Sequence, residues 1–223
     1  MIIIETLALE DVKYEYKGKY QTVHALAGVN YEFRRGRFYA LMGKSGSGKT
    51  TLLSMLAGLD NPTNGDVFAD GMSIRGVNRD LYRLRHISVI YQNLNLFPLL
   101  TALENVMFPL IYKKTPKGEA RKVAAEKLLS VGIDELMFRR LPAMLSGGEQ
   151  QRVAIARALA NKTEVILADE PTGNLDSENG AIIVRLLKDL AKEDNLCVIV
   201  ATHDASVSEQ ADEVLRVVDG VII

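Results

Sequence analysis

The chain has 223 residues, 48% hydrophobic and 25% charged, with a formal net charge of −1. This is enough sequence to bury a sizeable core in one domain, with or without a lobe, and the composition is ordinary for a soluble globular protein. The balance of charge excludes a global pull toward nucleic acid or an anionic bilayer, and the one cysteine, Cys197, excludes an internal disulfide.

The opening Met1-Ile2-Ile3-Ile4-Glu5 is apolar but too short for a signal segment and lacks a basic flank. No apolar run approaches a bilayer span, so a membrane role is expected to run through a partner. Strands are expected from Leu7 to Tyr16 and from Tyr31 to Leu41, with a turn near Lys17-Gly18-Lys19. The apolar Phe38–Met42 stretch ends in a glycine-rich turn. Thr50 to Ala57 then has helix-forming character and stops at Gly58. From about Pro109 to Ile133 the pattern turns helical, clearest from Ala120 to Leu129, and a further helix is expected from Gly148 to Ala160. Glu164–Asp169 and Cys197–Thr202 are near-continuous apolar runs, as in strands covered on both faces, and Ala181–Leu190 between them reads as a helix. Strand–helix–strand implies a parallel αβα core. The helical middle, about 91–155, reads as a lobe inserted between 1–90 and 156–223.

Four segments carry chemistry. Gly43-Lys44-Ser45-Gly46-Ser47-Gly48-Lys49-Thr50 fits the P-loop pattern in full, flanked by the strand and helix it requires. Its glycines let backbone N–H groups approach phosphate oxygens, and the helix N-terminus adds partial positive charge. Lys49 is expected to reach the β/γ-phosphates and the Thr50 hydroxyl to ligate Mg²⁺. Asp169-Glu170 closes the first buried strand, which suits Asp169 to a metal and Glu170 to polarising an attacking water. His203 follows the second buried strand, where ligands bind in such sheets. Ser146-Gly147-Gly148 opens a helix and forms a second set of free N–H groups, so one chain carries two phosphate-binding devices. Asn161-Lys162-Thr163-Glu164 is a poor guanine-reading motif, with Glu where Asp is needed.

The ordered set of P-loop, Gln92, Leu145-Ser146-Gly147-Gly148-Glu149, Leu167-Ala168-Asp169-Glu170-Pro171 and His203 resembles the ATP-binding cassette (ABC) ATPases along essentially the whole chain. The resemblance implies an α/β P-loop NTPase fold: an αβα core, an antiparallel β subdomain and an inserted α-helical subdomain. It implies ATP and Mg²⁺ as ligands and an ATP-dependent, head-to-tail homodimer. Gly43, Ser45, Gly46, Ser47, Gly48, Lys49, Thr50 and Thr51 would bind the nucleotide. Tyr16 would stack on adenine, with Tyr14 the alternative. Ser146, Gly147 and Gly148 would meet the partner-bound γ-phosphate, and Asn174-Leu175-Asp176 would cross the interface. Thr50, Gln92 and Asp169 would serve the metal, Glu170 the attack on water, and His203 the γ-phosphate.

Gly58–Thr63, Asn95–Pro98, Thr101–Val106 and Glu170–Asp176 further resemble lipoprotein-releasing, macrolide-export and division-associated cassettes. That resemblance implies a peripheral place on the inner face of the cell membrane, beside an integral permease with an extracytoplasmic domain, and no nucleic-acid partner. A division-type regulator of cell-wall hydrolysis is the alternative. Lys44, Ser88 and Tyr91 depart from the usual residues without touching catalysis. DNA-repair relatives carry a long coiled coil and translation-type relatives two cassettes, both absent here. Lys113, Lys114, Lys117, Arg121 and Lys122 form a basic cluster that reads as a solvated helix face or a neighbour of anionic headgroups.

Overall fold

The computed structural model describes residues 6–173 and 175–223; the apolar start read at residues 1–5, and Asn174, lie outside them. The first strand, β1 (Thr6–Lys17), pairs antiparallel with β2 (Thr22–Arg34), Thr6 opposite Arg34 and Lys17 opposite Thr22. The chain then turns at Gly36, whose φ of 71° is left-handed, and enters β3 (Arg37–Met42). This corrects the single strand expected from Tyr31 to Leu41: its two halves belong to different sheets. A glycine-rich loop leads to α1 (Lys49–Leu56), followed by β4 (Asn64–Ala69), β5 (Met72–Ser73), α2 (Arg79–His86) and β6 (Ile87–Ile90). Three helices come next: α3 (Ala102–Tyr112), α4 (Lys117–Ser130) and α5 (Gly147–Ala160). The chain ends with β7 (Val165–Asp169), α6 (Ser177–Lys192), β8 (Cys197–Thr202), the single turn α7 (Ala205–Ser208), β9 (Glu213–Val218) and β10 (Val221–Ile222).

Two sheets result. One is antiparallel, in the order β2-β1-β4-β5. The other runs β10-β9-β3-β8-β7-β6, parallel from β9 to β6 with β10 antiparallel at the edge. The apolar runs of β7 and β8 are explained by burial on both faces. Leu167, Ile199 and Ala201 pack toward α1 and the antiparallel sheet, with Tyr39, Leu41 and Leu52. Ile166, Ala168, Val198 and Val200 pack the other way, against Val106, Val153 and Leu187 of the helical layer. Alternation along each strand therefore feeds two cores at once. Cys197 lies in the first of them, and burial pushes its thiol up to about 12, which leaves almost no thiolate.

The helical segment expected from Pro109 onward is broken in two. Pro109 lies inside α3; the break comes at Lys114, in a left-handed conformation (φ 64°), and Pro116 caps α4. The buried face of α4 is Ala120, Ala124 and Leu128, one residue per turn. A capping box of Thr101 and Glu104 starts α3. Asn105, fully buried one residue later, ties down the segment before the helix. Its Oδ1 accepts from the Phe97 amide at 2.8 Å, and its Nδ2 donates to the carbonyls of Phe97, Leu100 and Thr101 at 3.1, 2.9 and 3.1 Å.

Asn105→Ala removes all four bonds and leaves the Phe97 amide and the Leu100 carbonyl without their side-chain partner. It is expected to lower the unfolding free energy by about 2–3 kcal/mol in denaturant titration, whereas a surface substitution such as Glu126→Ala should change it by no more than about 0.5 kcal/mol.

Candidate active site

The loop between β3 and α1 is shaped by backbone approach. Gly48 has φ 108°, and a Cβ there would sit 2.5 Å from the Ala25 carbonyl oxygen, so no larger residue fits. Lys49, 7% exposed, folds its side chain back over the loop and donates to the carbonyls of Gly43 and Lys44 at 2.7 and 3.1 Å. The loop is also tied to the distal edge, where the Gly220 amide donates to the Ser47 carbonyl at 3.0 Å. The result is a ring of main chain capped by a buried ammonium, a cradle for an anion.

Beside the loop, Asp169 closes β7. Burial raises its carboxyl above the usual range, and hydrogen bonding with Thr50 and the charge of Lys49 oppose that rise. Glu170 follows in a left-handed conformation, φ 47°, a strained position for this residue type. It is held from three sides. Its amide donates to the Ala201 carbonyl at 2.8 Å; Thr202 Oγ1 donates to its Oε2 at 3.1 Å; its Oε1 lies 2.9 Å from His203 Nδ1. Thr202 is fully buried and its hydroxyl also accepts from the Asp204 amide at 3.0 Å, which fixes its proton toward Glu170. The sequence reading did not single out Thr202; its place at the end of an apolar strand was the available signal.

These groups share one cavity of about 680 Å³, bordered by Tyr16, Val23, Ala25, Lys44, Ser45, Gly46, Gly48, Lys49, Thr50, Thr51, Gln92, Asp169, Glu170 and His203. Tyr16 is half exposed at its mouth, with its hydroxyl 3.2 Å from Thr51 Oγ1. Tyr14 does not border the cavity. Its ring packs edge-on to Tyr16 and its hydroxyl bonds Asp60, which pushes the phenol up to about 12 and holds Asp60 below the usual carboxylate range. Gly43 and Ser47 line a neighbouring cavity instead, on the β9 side of the loop.

Ser146, Gly147, Gly148 and Asp176 do not border the cavity either. They form a second cluster. Ser146 caps α5, its Oγ accepting from the Glu149 amide while Glu149 Oε2 accepts from the Ser146 amide at 2.6 Å. Asp176 caps α6, bonding both the amide and the side chain of Asn179, and these bonds lower its carboxyl. Asn179 in turn covers Gly148: a Cβ on Gly148 would lie 2.7 Å from Asn179 Oδ1. The far end of α5 carries Arg157, another residue the sequence reading passed over. Its Nη2 and Nη1 donate to the carbonyls of Leu94 and Asn95 at 2.6 and 2.7 Å, both residues being left-handed. The guanidinium thus grips the loop that begins with Gln92.

The comparisons agree with this geometry. The ABC transporter family profile matches residues 26–173. The ABC transporter ATP-binding protein MJ0796 of Methanocaldococcus jannaschii is 44% identical, covering 96% of this chain and 94% of its own. Its dimeric cassette structure superposes with a TM-score of 0.90 over 97% of this chain and 96% of that one, at 43% identity, and a post-hydrolysis dimer of MJ0796 holds ADP and Pi. The lipoprotein-releasing system ATP-binding protein LolD 2 of Rhodopirellula baltica is 43% identical over 88% of this chain and 80% of its own. The macrolide export ATP-binding/permease protein MacB of the same organism is 41% identical over 97% of this chain, but over 32% of its own length. The anion cradle, the strand-end Asp169-Glu170 pair and these matches make the chain a member of the ABC transporter family, an ATP-binding cassette with ATPase activity.

Proposed function

We propose that two copies of this chain close head to tail around ATP and that the closure drives a membrane permease of the lipoprotein-release or export kind. The observation that carries the reading is the separation of the two phosphate-binding devices: the Ser146-Gly147-Gly148 turn does not border the chain's own nucleotide cavity, so its free amides serve a nucleotide held by another copy. As an N-cap, Ser146 uses its oxygen as acceptor and keeps its hydroxyl proton to donate. Asp176, beside Gly148 through Asn179, belongs to the same contact surface.

Within each site Lys49, the loop amides and the partner's Ser146 turn stabilise charge on the γ-phosphate. Tyr16 offers a ring to the adenine, its hydroxyl beside that of Thr51. Glu170 takes the proton of the attacking water, and Thr202 and His203 hold its carboxylate in place. His203, largely exposed, also reaches the γ-phosphate. The hard oxygen donors of Thr50, Asp169 and Gln92 fit Mg²⁺, which keeps few protein ligands and completes its shell with water and phosphate. When bound it would neutralise charge on the phosphates.

Among the described residues no helix is long and apolar enough to cross a membrane. The membrane-spanning permease lies outside the described residues, and the cassette sits peripherally on the inner face of the membrane. A groove of about 560 Å³, lined by Leu81, Tyr91, Phe97, Phe108, Tyr112 and Arg157 among others, suits a short helix of that permease. It lies between the parallel sheet and the lobe of residues about 91–155. Similarity to LolD 2 and MacB supports a membrane permease as the partner.

Glu170→Gln is expected to lower turnover at least about 100-fold and to trap an ATP-bound dimer on size-exclusion chromatography; full ATPase activity in that variant would remove Glu170 from the role of base. Ser146→Arg leaves the chain's own P-loop intact yet should lower hydrolysis on the order of 100-fold, and an unchanged rate would argue against the head-to-tail arrangement. Thr202→Val should lower kcat about tenfold with KM for ATP little changed, the loss of one hydrogen bond, and Thr202→Ser should restore it.

A further inference from the structure

We infer that the corner between α3 and α4 is a docking surface for an anionic bilayer. Tyr112–Lys122 holds five basic residues and one acidic residue in a chain whose overall charge is −1. The fold divides these five by function. Lys113 is half-buried and spent on the structure: its Nζ donates to the Asn161 carbonyl at the end of α5, at 2.8 Å, and burial lowers its ammonium below the ordinary lysine range. This bond pins the corner against α5. It leaves Lys114, Lys117, Arg121 and Lys122 exposed, and none of the four makes a side-chain hydrogen bond or ion pair among the described residues. The acids nearby do not neutralise them. Glu104 is held by Thr101 and feels Lys117 only as the smallest of its influences, and Glu119 and Glu126 form no ion pair.

The chemistry of the surroundings selects the partner. Three of the four free cations are lysines, compact point charges suited to a diffuse array of anions rather than to one forked ligand. Next to them α3 exposes Tyr112 (68%), Ile111 and Phe108, an aromatic and aliphatic stripe with i, i+3, i+4 spacing. A tyrosine beside lysines is the pairing found at the boundary between headgroups and acyl chains. Phe108 and Tyr112 also line the groove assigned above to a permease helix. On that reading a permease seated in the groove takes up Phe108 and Tyr112 and brings Ile111 and the four cations to the headgroups, and the corner holds the cassette against the membrane while the dimer opens and closes.

The test is sedimentation of the purified chain with vesicles in low-salt buffer, comparing pure phosphatidylcholine with an equal mixture of phosphatidylcholine and phosphatidylglycerol. Four surface cations, each worth roughly a factor of five to ten, give half-binding at about millimolar accessible lipid. The chain is expected to sediment with the mixed vesicles, not with phosphatidylcholine alone, and to be released at about 0.5 M salt, where the Debye length falls to a few ångström. The quadruple variant Lys114→Gln, Lys117→Gln, Arg121→Gln, Lys122→Gln should lose sedimentation, and Lys114→Arg, Lys117→Arg, Arg121→Lys, Lys122→Arg should keep it. Equal binding to both vesicles, no binding by the parent chain, or binding by the glutamine variant would overturn the proposal. ATP hydrolysis without vesicles separates this proposal from the cassette reading: all three proteins should hydrolyse alike, and a parent chain inactive toward ATP would undo that reading while leaving the vesicle result to stand or fall alone.

Discussion

The register of the parallel sheet is the constraint on which the rest of the molecule depends. Met42 lies opposite Thr202, Asp169 opposite Ala201 and Ile90 opposite Ala168. Parallel strands point the same way, so the segments that leave them emerge along one edge. The phosphate loop follows Met42, Glu170 follows Asp169, His203 follows Thr202 and Gln92 comes two residues after Ile90. Residues from four distant parts of the sequence therefore meet without any long loop having to find its place. A slip of one residue in any of these strands would reverse which side chains face which core and would misplace every residue that leaves the edge.

This edge was legible in the sequence because its parts are local. A glycine-rich turn between a strand and a helix, and acids or histidine at the end of an apolar run, can be read from a few neighbours. Expected helices and strands were also found where apolar patterning was strong: Gly148–Ala160 is α5 with one more residue, and Ala181–Leu190 is the middle of α6, lengthened at its start by the Asp176 cap. Elements whose existence depends on remote partners were harder to read. The short β6 is stabilised by lying beside β7, and β9 by lying beside β3, while α2 has mostly charged residues and one buried anchor, Tyr82. The division at Gly36 was hidden because the residues on either side both favour strands. Tyr16 was preferred to Tyr14 by its position alone; in the structure the cavity lining and the approach of Thr51 and Asp60 separate them. Thr202 and Arg157 carry no motif of their own, and their importance lies in which main-chain or carboxylate oxygen they reach.

The same register bears on the proposed head-to-tail pairing. The parallel sheet supplies an anion cradle, a carboxylate pair and a histidine along one edge, while the Ser146 turn is fixed elsewhere by its own capping box and by Asn179 over Gly148. Each device is rigid where it stands. On the proposed reading, bringing them together is a matter of association between copies rather than of folding within one.

Helix α5 runs from the Ser146 turn to beyond Arg157, and its 14 residues span about 20 Å. Arg157 clasps the loop after Gln92 at one end, and the Ser146 cap at the other is the end proposed to meet a neighbour's nucleotide. The helix is thus a push-rod with both ends fastened. A tilt imposed at one end displaces the other in the same instant, so the loop beside the groove has no separate signal to wait for and no opportunity to disagree with the far end.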